Sequence, residues 1–229
     1  MLGGGAFVAA FLFLVPPIAQ DPAYHVFADG RAIWGINNFW NVISNIPFAL
    51  VGLLGLRKLR DAADRVLFTG VLATCFGSAY YHLAPSDSRL VWDRLPMTLV
   101  FMALLACVAA AMRNSPANCL LWALISCGVF SVAWWKLMND LRLYVLVQFG
   151  PLLVLIPALW FVRHARYLAA ALTFYALAKA AEFWDRAIFA VVPISGHALK
   201  HVLAAVATFL IFCWRRAVLS DAHAMVAVA

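Results

Sequence analysis

Residues 92–112 read WDRLPMTLVFMALLACVAAAM, and no charged residue lies between Arg94 and Arg113. A helix of about 20 apolar residues crosses the hydrocarbon core of a bilayer, so this stretch predicts a membrane span. Dividing the rest of the chain at charged residues and at Pro or Gly gives six further stretches of this kind. The seven predicted spans are residues 39–57, 64–83, 92–112, 117–136, 141–162, 166–190 and 196–214.

The composition agrees with a membrane protein. Of the 229 residues, 66% are hydrophobic and 12% are charged, whereas soluble domains carry about 25% charged residues. An ordinary soluble domain and a disordered chain are therefore excluded. We expect an all-α, polytopic membrane protein with a seven-transmembrane helix bundle in residues 38–215, preceded by an N-terminal segment (1–37) and followed by a short tail (216–229).

Another apolar stretch, about residues 5–19, ends at Pro16 and Pro17. No Lys or Arg precedes it and it lacks a small-residue cleavage site, so an additional retained N-terminal helix is favoured over a cleaved signal peptide. A first span and a re-entrant helix both remain open.

The net charge of +7 comes from basic residues that cluster between the apolar runs. We therefore interpret them as topology signals and expect no nucleic-acid partner. They follow the first, third, fifth and seventh predicted spans, which predicts a cytoplasmic C-terminus and places residues 21–38 and the loops near Ser86, Asn139 and Pro193 on the outer or lumenal side. The basic residues concerned are Arg57, Lys58, Arg60, Arg65, Arg113, Arg163, Arg166, Arg215 and Arg216.

Ionisable side chains at membrane depth are costly, and each predicts either a functional site or a paired structural group. Five polar residues fall at the predicted outer ends of three spans. Ser78 and His82 are four residues apart and share one helix face, as do His197 and His201. Asp93 opens the helix that follows the short turn after His82. The sequence therefore predicts that three histidines, one carboxylate and one hydroxyl converge.

This combination favours a catalytic metal site. Three histidines are an established ligand set for Zn²⁺ that leaves one position open for water. Asp93 is the candidate base for the proton of a metal-bound water, and Ser78 is the candidate donor to the developing oxyanion. Taken singly, each histidine is an interhelical hydrogen bonder, Ser78 bonds to its own helix, and Asp93 pairs with Arg89 or Arg94. The five residues together favour the metal site.

Two other polar groups stand out in the sequence. The sixth predicted span carries Lys179, Glu182, Asp185 and Arg186. Their spacing favours structural pairing of Lys179 with Glu182 and of Glu182 with Arg186 over head-group binding. Asn38, Asn41 and Asn45 lie at helical spacing, and helix capping, a contact with a neighbouring helix and head-group binding all remain open. Cysteine spacing predicts no disulfide framework, and no role is assigned to His25, His164 or His223.

Four sequence blocks, taken together and in order, resemble the alkaline ceramidases. They are FWNVISN at 39–45, GSAYYH at 77–82, WDRLPM at 92–97 and GHALKH at 196–201, and the similarity extends over about residues 21–215. These enzymes belong to a wider superfamily of seven-span membrane hydrolases that includes the progestin and adiponectin receptors.

The resemblance implies a zinc amidase that cleaves the N-acyl bond of ceramide to a sphingoid base and a fatty acid. It implies His82, His197 and His201 as zinc ligands, Asp93 as the residue that activates the zinc-bound water and Ser78 as the oxyanion stabiliser. Eukaryotic members carry a calcium site just before the first block, usually with a Glu where this chain has Asn38. With Asp21 and Asp29 as the only acids in this segment, the set of oxygen ligands is poorer than in those members, which argues against calcium.

The implied partner is a membrane lipid, ceramide or a related N-acyl lipid. The implied location is the cytoplasmic membrane of a bacterium, or the endoplasmic reticulum or Golgi membrane of a eukaryote. Nothing in the sequence predicts an oligomeric state. The alternatives are a hydrolase of other acyl lipids, a receptor-like protein with a structural zinc site, and a proton-coupled transporter, which only the charges of the sixth span favour.

Overall fold

The computed structural model describes residues 9–113 and 117–228, and within them the chain is helical and forms no β-strand beyond one isolated bridge between Ile33 and Ile36. A 3-10 turn, Pro22–His25, precedes the main helices. The helices are α1 Phe39–Ile43, α2 Ile46–Lys58, α3 Ala62–Leu83, α4 Asp87–Arg113, α5 Asn118–Met138, α6 Arg142–Ala158, α7 Ala165–Phe183, α8 Asp185–Phe189 and α9 Gly196–Val228.

Within the described residues, five helical segments are long enough and apolar enough to cross a membrane, which supports a membrane protein. They are Phe39–Lys58 (α1 and α2 together), Ala62–Leu83, Asp87–Arg113, Leu120–Met138 and Gly196–Asp221. These correspond to five of the seven predicted spans. The spans predicted at 141–162 and 166–190 are helices with earlier ends, so the structure does not confirm seven spans.

Local chemistry explains where those two helices end. α6 contains Pro151 and Pro157 and ends at Ala158, in keeping with the loss of a backbone donor at each proline. α7 ends at Phe183 because Trp184 leaves helical geometry (φ −96°, ψ 26°), and the chain resumes as the short helix α8. The charges of Lys179 and Glu182 in the last turns of α7 also lower its hydropathy.

The predicted N-terminal helix is only partly within the described part of the chain, since residues 5–8 lie outside it. Residues 9–14 are helical. The end of this helical segment is held at the start of α6, because Arg142 donates to the carbonyls of Leu12 and Val15 at 2.6 and 2.7 Å. Leu141 N donates to Ile18 O at 2.8 Å. Residues 12–18 are therefore fixed to the start of α6.

α3 packs against α4, and α7 packs against α9. Both contacts depend on a glycine close to the predicted site residues. A Cβ on Gly77 would lie 2.0 Å from the carbonyl oxygen of Trp92, and one on Gly196 would lie 2.1 Å from that of Ala181. The backbones therefore approach closely beside Ser78 on α3 and beside His197 on α9, where any larger side chain would separate the helices.

A buried ion pair links α3 to α9 at the far end from the histidines. The Arg215 guanidinium donates to both carboxylate oxygens of Asp64, at 2.5 and 3.0 Å, and both side chains are buried. Removing one partner of such a pair leaves an uncompensated charge at a cost of about 3–5 kcal/mol. This pair fixes the relative position of the two helices that carry His82, His197 and His201.

Candidate active site

The three predicted histidines converge in the structure. His82 lies at the end of α3, and His197 and His201 lie one turn apart at the start of α9. One nitrogen from each ring lies within 4.8 Å of the others, and all three residues are buried. The Nε2 atoms of His82 and His197 are 3.4 Å apart. This group can hold a metal ion.

The surroundings of the rings suit metal binding. Ser44 Oγ contacts His201 Nδ1 at 2.8 Å, which fixes that ring and leaves its Nε2 for another partner. His82 Nδ1 is buried and has no hydrogen-bond partner among the described groups. Phe27 packs its ring against His82 and His197, with centroids 4.7 and 4.5 Å away. The rings are thus enclosed, and a cation placed between the facing Nε2 atoms of His82 and His197 would have both as ligands.

Asp93 and Ser78 form a second buried pair. Both residues are buried, Ser78 on α3 and Asp93 on α4, and both line the same cavity, where the Ser78 hydroxyl is close enough to act on the Asp93 carboxylate. Arg89 donates instead to Tyr80 O at 3.2 Å, and Arg94 Nη2 donates to Gln20 Oε1 at 2.7 Å. The single-residue alternatives, Ser78 bonded to its own helix and Asp93 paired with an arginine, are therefore not the arrangement that the structure shows.

A cavity of about 260 Å³ joins these groups to the apolar interior. Ser78, Asp93 and His201 line it, near one end of their helices. Apolar side chains further along the helices form its walls: Val71, Val100, Phe101, Leu104, Leu155, Leu172 and Ile211. At 1.5 Å per helical residue, the cavity extends about 15 Å from Asp93 or His201 to these walls. It can accommodate an alkyl chain beside the polar groups.

The polar residues near the end of α7 are arranged partly as predicted. Lys179 and Glu182 form an ion pair, which confirms the predicted i,i+3 contact. The second partner of Glu182 is Lys200 of α9, at 2.8 Å, and not the predicted Arg186, because the helix ends between them. Asp185 accepts hydrogen bonds from the backbone amides of Ala28 and His197, at 2.9 and 2.7 Å. It therefore holds the start of α9.

The asparagine stripe contacts neighbouring elements around the site. Asn38 Nδ2 donates to His82 O at 2.9 Å, and Asn41 Oδ1 accepts from Ser195 Oγ at 3.2 Å. Asn45 Nδ2 donates to Asn41 O at 2.8 Å. Contact with neighbouring elements, one of the three open interpretations, therefore applies to Asn38 and Asn41.

The sequence did not reveal several residues that shape the site. Ser44 and Phe27 contact the histidines, and Lys200 Nζ lies 3.1 Å from His197 Nε2. His25, to which no role was assigned, bridges Tyr81 Oη at 2.9 Å and Asp87 at 3.0 Å. Lys200 had a signal in the sequence, since it is an ionisable residue between two predicted ligands in a membrane helix, and Ser44 belongs to the polar stripe formed with Asn41 and Asn45.

Asp29, one of the acids considered for calcium, is paired with Arg31 at 2.6 Å. Burial raises the pKa of its carboxyl, but the hydrogen bonds and charge of Arg31 outweigh burial and hold that pKa below its ordinary value. Arg31 also donates to Pro193 O at 2.6 Å. Asp29 therefore helps to fix the segment that carries Phe27 over the histidines.

When the chain is compared with known proteins, its sequence matches one protein family. A sequence model described as Ceramidase matches residues 32–184, which is more than half of the chain. The matched part contains Ser78, His82 and Asp93, whereas His197 and His201 follow it. No curated protein matches the chain.

Proposed function

Since the chain belongs to the ceramidase family, we propose that it is a zinc-dependent hydrolase of lipid amides that cleaves the N-acyl bond of ceramide. The family implies an amidohydrolase with a lipid substrate. The observation that carries the proposal is the group of three buried histidines next to the Asp93–Ser78 pair at the end of an apolar cavity.

The histidines provide the metal-binding part of the proposal. Three neutral imidazole nitrogens suit Zn²⁺, and a set of three protein ligands is typical of catalytic sites. Zinc in such a site polarises the substrate carbonyl and lowers the pKa of a bound water. Among the described His, Cys, Asp and Glu residues, Asp93 is not part of the group within 4.8 Å. This favours an open catalytic site over a closed structural one with four protein ligands.

Asp93 and Ser78 have complementary roles in the proposed reaction. Asp93 accepts a proton from the attacking water as the new C–O bond forms at the carbonyl carbon. Once protonated, Asp93 becomes a hydrogen-bond donor, and Ser78 can then accept from it and donate its own hydrogen to the carbonyl oxygen. The proton held on Asp93 passes to the amide nitrogen as the C–N bond breaks, which yields a fatty acid and an amine.

The cavity binds the hydrocarbon part of the substrate. Each methylene removed from water contributes about 0.8 kcal/mol, although a chain that enters from lipid gains less because it is already in an apolar medium. The walls formed by α4, α6, α7 and α9 therefore serve mainly to orient the chain. They place the amide beside Asp93 and His201.

The proposal includes the topology. We propose that the helices of residues 38–215 form seven spans, with the site on the outer or lumenal side and the C-terminus in the cytoplasm. The alternation of basic segments along the chain supports this orientation. Residues 1–37 and 216–229 flank the bundle.

The test is fatty-acid release from ceramide by the purified protein in detergent. We expect turnover that is lost in Asp93→Asn, while zinc remains bound because Asp93 is not a ligand. Asp61→Asn is the matched control, since Asp61 is 59% exposed in its side chain and lies at the far end of α3; it should keep its activity. Turnover by Asp93→Asn at the wild-type rate would contradict the proposed base, and loss of zinc from this variant would make Asp93 a ligand.

If ceramide is not cleaved, ester and other amide lipids are the next substrates in the same assay. Release from an ester lipid alone would change the bond cleaved and keep the metal hydrolase. Absence of release from every acyl lipid, with zinc bound, would favour the receptor-like alternative.

A further inference from the structure

The cavity beside the histidines contains more positive than negative side chains. The ionisable residues that line it, apart from His201 and the tyrosines, are Asp93, Arg94, Lys179, Glu182 and Lys200. There are three cations and two carboxylates, and because the Lys179 side chain is 38% exposed, Arg94 and Lys200 are the enclosed cations. An enclosed cation is costly unless an anion or a hydrogen-bond acceptor compensates for its lost hydration.

Arg94 is the most enclosed of these cations. The residue is 6% exposed, and its guanidinium carbon lies 4.0 Å from the ring centroid of Trp135 and 4.7 Å from that of Tyr144. Nη2 donates to Gln20 Oε1, whereas Nη1 is buried and has no hydrogen-bond partner among the described groups. The ion pairs of the described residues also do not include Arg94. Nη1 of this buried guanidinium therefore lacks an acceptor among the described groups.

Lys200 also has spare capacity for hydrogen bonding. Its Nζ contacts Glu182 Oε1 at 2.8 Å and His197 Nε2 at 3.1 Å, which uses at most two of its three donor hydrogens. Glu182 is shared with Lys179. One carboxylate therefore serves two ammonium groups, and Lys200 can contribute to the binding of a further anion.

Both cations line the cavity that contains the proposed reaction site. Arg94 follows Asp93 directly in the chain, and Asp93, Arg94 and Lys200 all border this cavity. Lys200 also lies between His197 and His201 on α9. An anionic group held by Arg94 and Lys200 would therefore lie next to the amide that Asp93 and the histidines act on.

We propose that Arg94 and Lys200 bind an acidic group in the lipid head, so that this site prefers N-acyl lipids carrying a carboxylate or phosphate close to the amide over neutral ceramide. The inference rests on the proposed amide hydrolysis and narrows its substrate class. A planar guanidinium and an ammonium are the usual partners of carboxylates and phosphates. Neutral ceramide offers only hydroxyls in its head group and therefore no anionic partner for Arg94 or Lys200.

The primary test is binding, which does not depend on turnover. N-oleoylserine and N-oleoylserinol differ only in a carboxylate against a hydroxymethyl group, and their Kd values can be measured on purified protein through tryptophan fluorescence, since Trp135 contacts Arg94. We expect the acidic lipid to bind at least about tenfold more tightly, which is a modest effect for a charge-assisted contact. Equal Kd values for this pair, and for ceramide 1-phosphate against ceramide, would overturn the inference.

Further lipids identify the source of the acidic group. Preference within the serine pair indicates a carboxylate, and preference for ceramide 1-phosphate over ceramide indicates a phosphate. Oleate and oleyl alcohol form a third pair, which tests binding of the carboxylate of the fatty-acid product. Discrimination confined to this last pair would assign the cations to the carboxylate of the fatty-acid product and would contradict the inference.

Variants show which residues cause the preference. Arg94→Gln and Lys200→Gln should each reduce the ratio of the two Kd values towards one. Arg89→Gln is the matched control, because Arg89 lies on the same helix but stacks on Tyr80 and does not line the cavity; it should keep the wild-type ratio. A ratio that persists in both cavity variants would overturn the assignment to these residues.

Fatty-acid release from the same lipids separates this inference from the proposed function. Selective binding of acidic lipids without any release would contradict amide hydrolysis and support the anion site. Release of fatty acid from both members of the serine pair, with equal Kd and equal kcat/KM, would support hydrolysis and contradict the anion site.

Discussion

At the scale of single residues, the histidines have the sharpest expected effect. Each supplies one nitrogen to a group whose atoms lie within 4.8 Å of one another, so the loss of any one leaves two ligands. We expect His82→Ala, His197→Ala and His201→Ala each to bind much less than one zinc ion per chain and to lose turnover. Metal analysis of the purified variants checks this.

His164→Ala is the control for the histidine variants, because His164 pairs with Asp221 at 2.7 Å outside the cluster. It should bind zinc as the wild type does. Stoichiometric zinc in all three cluster variants would contradict the three-histidine site.

Ser78 allows a separate test of the oxyanion role. Removing one donor to a developing oxyanion lowers kcat by about 10²–10³-fold. Ser78→Ala should therefore reduce kcat strongly with a small change in KM, and steady-state kinetics on ceramide would show it. Ser88→Ala, which removes an exposed hydroxyl bonded to Ser86, should have no effect. A Ser78→Ala variant with wild-type kcat would exclude this role.

Much of the candidate site could be predicted at this scale, and some of it could not. His197 and His201 share a face because they are four residues apart, and Ser78 and His82 do so for the same reason. Ser44 and Phe27 could not be predicted as neighbours of the histidines, because those contacts depend on how α1 and the N-terminal segment pack on α3 and α9. A phenylalanine such as Phe27 also gives no signal of its own in an apolar sequence.

At the scale of helices, the contact between α3 and α4 determines whether Ser78 meets Asp93. Gly77 lies at this contact, where a Cβ would be 2.0 Å from the Trp92 carbonyl oxygen. Gly77→Ala should force the two helices apart, destabilise the protein by about 1–3 kcal/mol and lower kcat. Thermal unfolding in detergent and fatty-acid release measure the two effects.

Gly150→Ala is the matched control on α6, since a Cβ there meets nothing within 4 Å. It should keep its activity and be as stable or slightly more stable, because Ala favours a helix over Gly by about 1 kcal/mol. If the two alanine variants had the same thermal stability and the same activity, the close contact at Gly77 would not be needed for either property.

The hydropathy of the sequence predicts the positions of the helices well, but it predicts the residues at which they end less accurately. α3, α4 and α9 contain their predicted spans because long apolar runs between charges have few alternatives in a membrane. The break at Trp184 was not predicted, because no Pro or Gly marks it. The chain turns there, and Asp185 is placed to bind the amides of Ala28 and His197, contacts that depend on tertiary packing.

At the scale of the whole molecule, the cavity predicts a dependence on acyl-chain length. Leu104 lines it eleven residues after Asp93, about 16 Å along α4. Leu104→Trp fills this part of the cavity, so it should lower kcat/KM for ceramide with a sixteen-carbon acyl chain more than for ceramide with a six-carbon chain. Leu137→Trp, at a side chain on the surface that is 78% exposed, is the control. An equal loss for both chain lengths would contradict chain binding at Leu104.

The most direct test of the central claim measures zinc content and ceramide turnover on the same preparation. Wild-type protein is stripped with a chelator and titrated with Zn²⁺ while fatty-acid release is recorded. We predict that activity is lost on stripping and returns in proportion to zinc, with full activity at one zinc ion per chain. Full activity in protein that holds almost no metal would contradict a zinc-dependent reaction.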